Sequence, residues 1–134
     1  MSGIEEAKAK ADALKDAGNK LLAQIKYAAA AEKYTEALAI CPSAILYSNR
    51  AQALIKIESY GAAILDANEA LQLDDSYMKA YFRRGSANFA LSKFKLAKAD
   101  FKKVWDQIQD PEALKRYKEC DKRIKVSQWY QFAM

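Results

Sequence analysis

The segment MKAYFRRGS, residues 78–86, carries three cations within six positions. In a helix, Lys79 and Arg83 lie one turn apart on the same face. Like charges in that arrangement cost an isolated helix about 0.2–0.5 kcal/mol, and Arg84 adds a third positive charge beside them. The pattern therefore indicates either a basic face in contact with water or a binding site for an anion.

Further hydrogen-bond donors stand in register with these cations. Lys15 and Asn19 are one helical turn apart, and Asn49 and Arg83 occupy equivalent positions in successive copies of an internal repeat. Lysine offers a point charge, arginine a planar fork of donors and asparagine two amide donors. The terminal carboxylate of a peptide, with an aspartate side chain nearby, needs such a set of donors. We therefore expect a carboxylate-binding site formed by Lys15, Asn19, Asn49, Lys79 and Arg83.

The composition argues against catalysis and metal binding. The chain has 134 residues, a net charge of +5 and no histidine, so it lacks the usual general base and the commonest transition-metal ligand. Cys41 and Cys120 lie far apart in the sequence and fit no zinc pattern. We expect two reduced, partly buried thiols, no catalytic residue, no metal and no cofactor. The modest positive charge favours an anionic partner.

The sequence repeats three times with a period of about 34 residues, a length typical of helical repeat proteins. Aligning LKDAGNKLL, YSNRAQALI and YFRRGSANF places a small residue at the same position of each segment. The same spacing recurs in three further columns, and this agreement indicates a true repeat. The four columns are Gly18/Ala51/Gly85, Tyr27/Tyr60/Phe94, Ala30/Ala63/Ala97 and Ala37/Ala70/Val104.

Each repeat contains two helical patterns separated by a short break. In the first pattern, apolar or small residues follow the i, i+3, i+4, i+7 spacing of a helix face, and the scarcity of glycine and proline also favours helices. Pro111 suits the start of a seventh helix, which would shield the exposed face of the last repeat. The predicted helices span 4–23, 27–40, 44–57, 60–73, 78–91, 94–108 and 112–130.

These repeats resemble the tetratricopeptide repeat family over about residues 8–130. Two positions depart from the family pattern: Asp75 stands where a proline is usual, and Asn88 where an aromatic is usual. The resemblance implies an all-α, right-handed superhelix of three helix pairs plus a C-terminal capping helix, with the first helix of each pair lining a concave groove. We expect one domain over 1–134, with repeats at 11–43, 44–77 and 78–110 and the capping helix at 111–130. In repeat one the signature residues are Leu14, Gly18, Leu21, Ala30, Tyr34, Ala37 and Pro42.

The five donor residues resemble, at every position, the carboxylate clamp of co-chaperone tetratricopeptide domains. That resemblance implies binding of the C-terminal EEVD peptide of the ninety- and seventy-kilodalton heat-shock chaperones. Counting along the first helix of repeat two places Ser48 on the groove face as well. The resemblance also implies supporting groove contacts from Leu22, Ile45, Gln52, Lys56 and Phe82.

Among clamp domains, the chain looks most like the N-terminal repeats of the type 5 serine/threonine protein phosphatases. The similar stretches are AEKYTEALAI, YSNRAQAL, YMKAYFRRGSANFAL and RYKECDKRIK. In those enzymes the repeats recruit the phosphatase to the chaperone and cover its active site. The catalytic domain needs histidine at its metal centre, so this chain does not contain it. Two alternatives stay open: a regulatory domain of a phosphatase, or a stand-alone co-chaperone without one.

The C-terminal helix offers a weaker alternative. Residues 115–125 carry six Lys or Arg against Glu119 and Asp121, which would suit a nucleic acid or a membrane surface, although such a run is more often the wet face of a helix. Lysines beside Cys120 could lower its pKa, but no base or second cysteine stands nearby. The aromatic residues of 129–134 either pack on the last repeat or face a following domain.

The same sequence indicates an intracellular protein. No apolar run approaches the ~20 residues that span a bilayer, and the charged N-terminus MSGIEEAKAKADALK does not fit a signal peptide. We expect a cytoplasmic location, which does not exclude the nucleus, and no membrane partner.

Overall fold

The computed structural model describes residues 2–134, which form seven α-helices and no strand. The all-helical fold predicted from the sequence is confirmed, and the helix ends agree closely with the predicted ones. The largest difference is at the last helix, which continues beyond residue 130. The helices are α1 Gly3–Ala23, α2 Tyr27–Ile40, α3 Ala44–Lys56, α4 Tyr60–Leu73, α5 Met78–Ala90, α6 Phe94–Ile108 and α7 Pro111–Ala133.

A short turn of constant geometry joins the two helices of each repeat. Its middle residue is Ile25, Glu58 or Ser92, with a left-handed φ of 65°, 64° or 60°. The next backbone N–H donates back across the turn, from Lys26 to the carbonyl of Leu21 at 2.9 Å in repeat one and at 2.8 Å in the other two. This bond closes the first helix of each pair in the manner of a Schellman motif. The geometry therefore repeats although none of the three middle residues is glycine.

Close helix crossings explain the column of small residues. A Cβ atom added to Gly18 would lie 2.6 Å from Cε1 of Tyr34, and one added to Gly85 would lie 3.0 Å from Cε1 of Phe101. Both aromatic side chains are fully buried, as is Ala51, which takes the same place in repeat two. In repeats one and three, the aromatic ring of the second helix thus occupies the space that a larger residue on the first helix would need. Repeat two has the smaller Ala67 at that place, opposite Ala51.

Two Arg–Asp pairs each join the two helices of one repeat, and sequence reasoning did not predict them. Nε and Nη2 of Arg50 donate to both carboxylate oxygens of Asp66 at 2.8 and 2.7 Å, and Nη1 donates to Thr35 at 3.1 Å. Arg50 therefore joins α3, α4 and α2. The same arrangement recurs one repeat later at Arg84 and Asp100, with distances of 2.9 and 2.8 Å. Paired with both oxygens and largely shielded from water, such bonds fix the packing of the two helices within a repeat. The bond from Arg50 to Thr35 links repeat two to repeat one.

Arg84 is consequently paired within the fold. Besides its two bonds to Asp100, its Nη1 donates to Asn68 of the preceding repeat at 2.9 Å. Arg84 is thus held by acceptors of the fold itself, which is neither of the two alternatives, water or an anion, that the sequence indicated for the three cations. Successive residues of a helix are rotated by about 100°, which turns Arg84 towards α6.

The last helix covers the third repeat. α7 packs against α6, and Cys120 lies in a buried cluster with Ala97 and Phe101. Burial raises the pKa of the Cys120 thiol, which disfavours the reactive thiolate. Both cysteines are free, but the expectation of two partly buried thiols is wrong for Cys41, which is exposed.

The C-terminal end of α7 stands clear of the repeats. Trp129, Tyr130, Phe132 and Met134 are all exposed. The alternative in which they pack on the last repeat is therefore wrong, and their contact with a following domain stays a prediction. None of the helices within residues 2–134 combines the length and apolarity that a membrane crossing requires.

Candidate functional site

The predicted donor residues all lie on the first helices of the three pairs. α1 contacts α3, and α3 contacts α5, so these helices form one continuous surface, which we call the groove. Lys15 and Asn19 lie on α1, Asn49 on α3, and Lys79 and Arg83 on α5.

A buried tyrosine orients the two asparagines. The Tyr34 hydroxyl donates to Oδ1 of Asn19 at 2.6 Å, and Nδ2 of Asn49 donates to the same oxygen at 3.2 Å. Burial raises the pKa of Tyr34, so its phenol stays protonated as a donor. Because both bonds use Oδ1, the amide nitrogen of Asn19 keeps its two N–H groups for a ligand.

Arg83 is a desolvated cation that lacks an acceptor. Its Nε is buried and has no hydrogen-bond partner among residues 2–134. Burial lowers the pKa of its guanidinium, against a smaller opposing effect of Tyr77, but an arginine stays charged at neutral pH. The hydrogen bond to Asp100 instead raises the pKa of the neighbouring Arg84. A buried donor left unpaired costs about 1–3 kcal/mol, which an anion bound at Arg83 would recover.

Lys79 and Arg83 border a common pocket of about 250 Å³. Phe82, Val104 and Ile108 supply its apolar lining, while Lys79 itself is exposed. Asp110 and Glu112 also border it. The pocket therefore suits a small apolar side chain of a ligand, whose carboxylate would pair with Lys79 and Arg83.

Lys15 is only weakly engaged. Its Nζ lies 4.0 Å from the exposed carboxylate of Asp12, and its side chain is 28% exposed. Such a surface pair contributes little, so Lys15 remains available. It borders a separate pocket of about 330 Å³ together with Ile45. A hydrogen bond thus joins Asn19 with Asn49, and a shared pocket joins Lys79 with Arg83. That all five residues bind one carboxylate stays a prediction.

The predicted supporting residues fall into three environments. Leu22 packs against the core of the first repeat, and Ile45 is 44% exposed. Gln52, Lys56 and Phe82 border a further pocket of about 310 Å³ beside Arg83.

One predicted groove position is wrong and another was missed. Ser48 is only 1% exposed, because α3 is packed against α1, α2, α4 and α5. Arg116 of α7 borders the same pocket as Lys56. It lies one repeat length after Arg83 in the sequence, so the repeat spacing, extended into the capping helix, could have found it.

Similar proteins share this architecture. No protein-family model matches the chain. It is 42% identical over 126 residues to the small glutamine-rich tetratricopeptide repeat-containing protein 2 of Saccharomyces cerevisiae, covering 91% of this chain and 36% of that protein. It is 38% identical over 118 residues to human serine/threonine-protein phosphatase 5, covering 87% of this chain and 24% of that enzyme. The chain thus spans about a quarter to a third of the length of these curated relatives.

Two similar structures contain peptides. The first tetratricopeptide domain of Spaghetti (RPAP3), bound to the HSP90 peptide SRMEEVD, is 36% identical with a TM-score of 0.85, covering 88% of this chain and 95% of that one. The second domain of human RPAP3, in complex with the HSP70 peptide SGPTIEEVD, is 35% identical with a TM-score of 0.80, covering 89% and 98%. Both peptides end in EEVD.

Proposed function

Because this chain belongs to the tetratricopeptide repeat family, we propose that it is a protein–protein interaction module for C-terminal peptides ending in EEVD. A clamp formed by Lys15, Asn19, Asn49, Lys79 and Arg83 would hold the terminal carboxylate and the adjoining aspartate. The proposed partners are the ninety- and seventy-kilodalton heat-shock chaperones, since the two similar domains bind HSP90 and HSP70 peptides with this ending.

The observation that carries the proposal is the unpaired guanidinium of Arg83. Its neighbour Arg84 is held by Asp100 and Asn68, whereas Nε of Arg83 is desolvated without an acceptor among residues 2–134. A fold that satisfies one arginine and leaves the next one unpaired, beside the exposed Lys79, offers an anion a partly desolvated site.

The number of donors is sufficient for moderate affinity. Hydrogen bonds to charged groups contribute about 1.5–3 kcal/mol each. A few of them, with an apolar side chain in the pocket beside Lys79, reach about −8 kcal/mol after the costs of association, which corresponds to a micromolar Kd.

We propose that the chain acts as one domain, with repeats at 11–43, 44–77 and 78–110, in the cytoplasm. Its role in the whole protein would be either chaperone targeting and autoinhibition of a serine/threonine phosphatase, or that of an adaptor without one. The likeness to human phosphatase 5 supports the first, and the likeness to the yeast glutamine-rich protein supports the second. Sequencing the reading frame beyond Met134 distinguishes them, because only the first continues into a metallophosphatase domain.

Nucleic-acid binding through α7 has less support. Arg123 donates to Glu119 at 2.9 Å, and Lys125 lies 2.9 Å from Asp121, so part of the basic run is neutralised within the helix. A steep salt dependence with RNA and indifference to peptide would favour this alternative.

Calorimetric titration with the peptide MEEVD tests the proposal. We expect micromolar binding to the wild type, loss of binding when the peptide C-terminus is amidated, and at least tenfold weaker binding by Arg83→Ala. Lys95→Ala removes the same charge from an exposed position on α6 and should bind normally. Tight binding of the amidated peptide, or no binding by a folded wild type, would contradict the clamp.

A further inference from the structure

The capping helix continues the register of the repeats. Buried residues recur at Leu46, Ala80 and Ala113, each one repeat length after the last. A second series with the same spacing is Ala53, Ala87 and Cys120. α7 therefore presents its side chains as a fourth first helix would. Arg116 then takes the repeat position of Asn49 and Arg83, two of the proposed clamp residues.

A pocket of about 310 Å³ lies between α3, α5 and α7 and is bordered by three cations. These are Lys56, Arg83 and Arg116, and the lining includes no carboxylate among the described residues. The neighbouring pocket beside Lys79 differs, because Asp110 and Glu112 border it. The pocket with Arg116 therefore has uncompensated positive charge.

Arg116 lies against two aromatic rings and keeps an unpaired donor. Its guanidinium carbon lies 4.8 Å from the ring centre of Phe89 and 5.3 Å from that of Phe101. Its buried Nε has no acceptor among residues 2–134. Stacking on aromatic rings uses the faces of the guanidinium and leaves the in-plane N–H donors unused. Two arginines with orphaned Nε atoms thus border one pocket.

The distance of the pocket from the clamp determines which residue of a bound peptide can reach it. Arg83 and Arg116 border the pocket at the level of the clamp, and its far end lies further along the groove. At that end, Lys56 is two helical turns beyond Asn49 on α3, and Ser86 is two turns beyond Lys79 on α5. Two turns of helix rise about 10 Å, which an extended peptide covers in about three residues. In a peptide ending in EEVD, the residue three before the last is the first glutamate.

We propose that Lys56, Arg83 and Arg116 form a second anion-binding subsite, which accepts an acidic side chain about three residues before the C-terminal residue of the peptide. Arg116 is the specificity-determining residue of this subsite, because it is the cation that the capping helix adds. The inference rests on the proposed function, since the clamp fixes the register of the peptide. The competing explanation is that Arg116 only stacks on Phe89 and Phe101 to stabilise the fold.

The test is a cycle of two peptides against matched variants, measured by calorimetry. The peptides are MEEVD and MQEVD, which differ by one charge at the selected position. The wild type should bind MQEVD about tenfold more weakly, whereas Arg116→Gln should bind both peptides equally and Arg116→Lys should retain part of the preference. Lys118→Gln removes an exposed charge from the same helix, outside the pocket, and should behave as the wild type.

Each outcome separates the subsite from the clamp. Equal binding of both peptides by the wild type, or an undiminished preference in Arg116→Gln, would overturn the subsite while leaving the clamp intact. If Arg116→Gln weakens the binding of both peptides by the same factor, Arg116 has only a structural role, and the subsite is again overturned. If Arg116→Gln does not fold, the exposed Lys56→Gln decides by the same criterion, with a reduced preference expected. Failure of the wild type to bind either peptide refutes the proposed function, and the subsite with it.

Discussion

Alanine at Gly18 should weaken the fold and, through Tyr34, disturb the donors of the groove. The added Cβ would lie 2.6 Å from Cε1 of the Tyr34 ring, 2.9 Å from Cδ1 and 3.0 Å from Cζ. Tyr34 is fully buried, so its ring must move, and its hydroxyl then loses the 2.6 Å bond to Asn19. Overpacking of this kind costs about 1–3 kcal/mol, and the lost hydrogen bond adds about 1 kcal/mol.

Gly61→Ala is the matched control. Gly61 also lies in a helix, but an added Cβ there meets nothing within 4 Å. Neither glycine has a positive φ, so alanine gains helix propensity at both: about 0.5–1 kcal/mol at Gly18, in the interior of α1, and less at Gly61, the second residue of α4. The free energy of unfolding should therefore fall by about 1–3 kcal/mol for Gly18→Ala and rise slightly for Gly61→Ala. Gly85→Ala should lie between them, because its Cβ would be 3.0 Å from Phe101.

Urea unfolding followed by circular dichroism measures these differences, and titration with MEEVD measures the effect on the groove. We expect Gly18→Ala to bind more weakly even where it is fully folded, since the Asn19 amide loses its orienting bond. A Gly18→Ala protein as stable as Gly61→Ala would refute the close-crossing explanation of the small-residue column.

Two further predictions concern buried polar groups. Arg84→Met leaves the Asp100 carboxylate without its partner in a site that is 9% exposed, so thermal unfolding should show a loss of about 3–5 kcal/mol. Lys102→Met removes an exposed ion pair and should cost under about 1 kcal/mol; equal losses would contradict the role of the buried pair. With Ellman's reagent at pH 7, we expect rapid reaction of Cys41 alone. Burial raises the pKa of Cys120, so its thiolate fraction at pH 7 is below that of a free cysteine and grows only as the pH rises. Rapid reaction of two thiols per chain at pH 7 would contradict this prediction.

The stacking of helix pairs could be predicted because small and aromatic residues recur in the sequence with the spacing of the repeat. Gly18, Ala51 and Gly85 mark the places where two helices approach closely, and side-chain volume at a crossing is a local property that a sequence shows directly. The seven helices followed from the same periodicity. The continuation of α7 to Ala133 did not, since nothing in the aromatic end signals where a helix stops.

Features that depend on backbone conformation or on which helices pack together, rather than on residue spacing, could not be predicted. The turn residue Ile25 adopts a left-handed φ of 65°, which β-branched residues disfavour. The packing of α1 against α2 therefore imposes this backbone conformation against the preference of isoleucine. The bond from Tyr34 to Asn19 requires two helices already packed together. Ser48 was misplaced for the same reason, because helical position alone does not show how many neighbouring helices surround α3.

The adjacent arginines of MKAYFRRGS have different roles: Arg84 stabilises the fold, and Arg83 is available to a ligand. Arg84 points to α6, where Asp100 takes two of its donors and Asn68 a third. Arg83, turned by about 100°, lies between two pockets and keeps a buried donor unpaired among residues 2–134. The same pairing at Arg50 and Asp66 holds α3 against α4. The bond from Arg84 to Asn68 links the repeat that carries Arg83 to the repeat that carries Asn49. These bonds hold α3 and α5, and with them Asn49, Lys79 and Arg83, in place before an anion binds. Loosely held donors would first have to be ordered by the ligand.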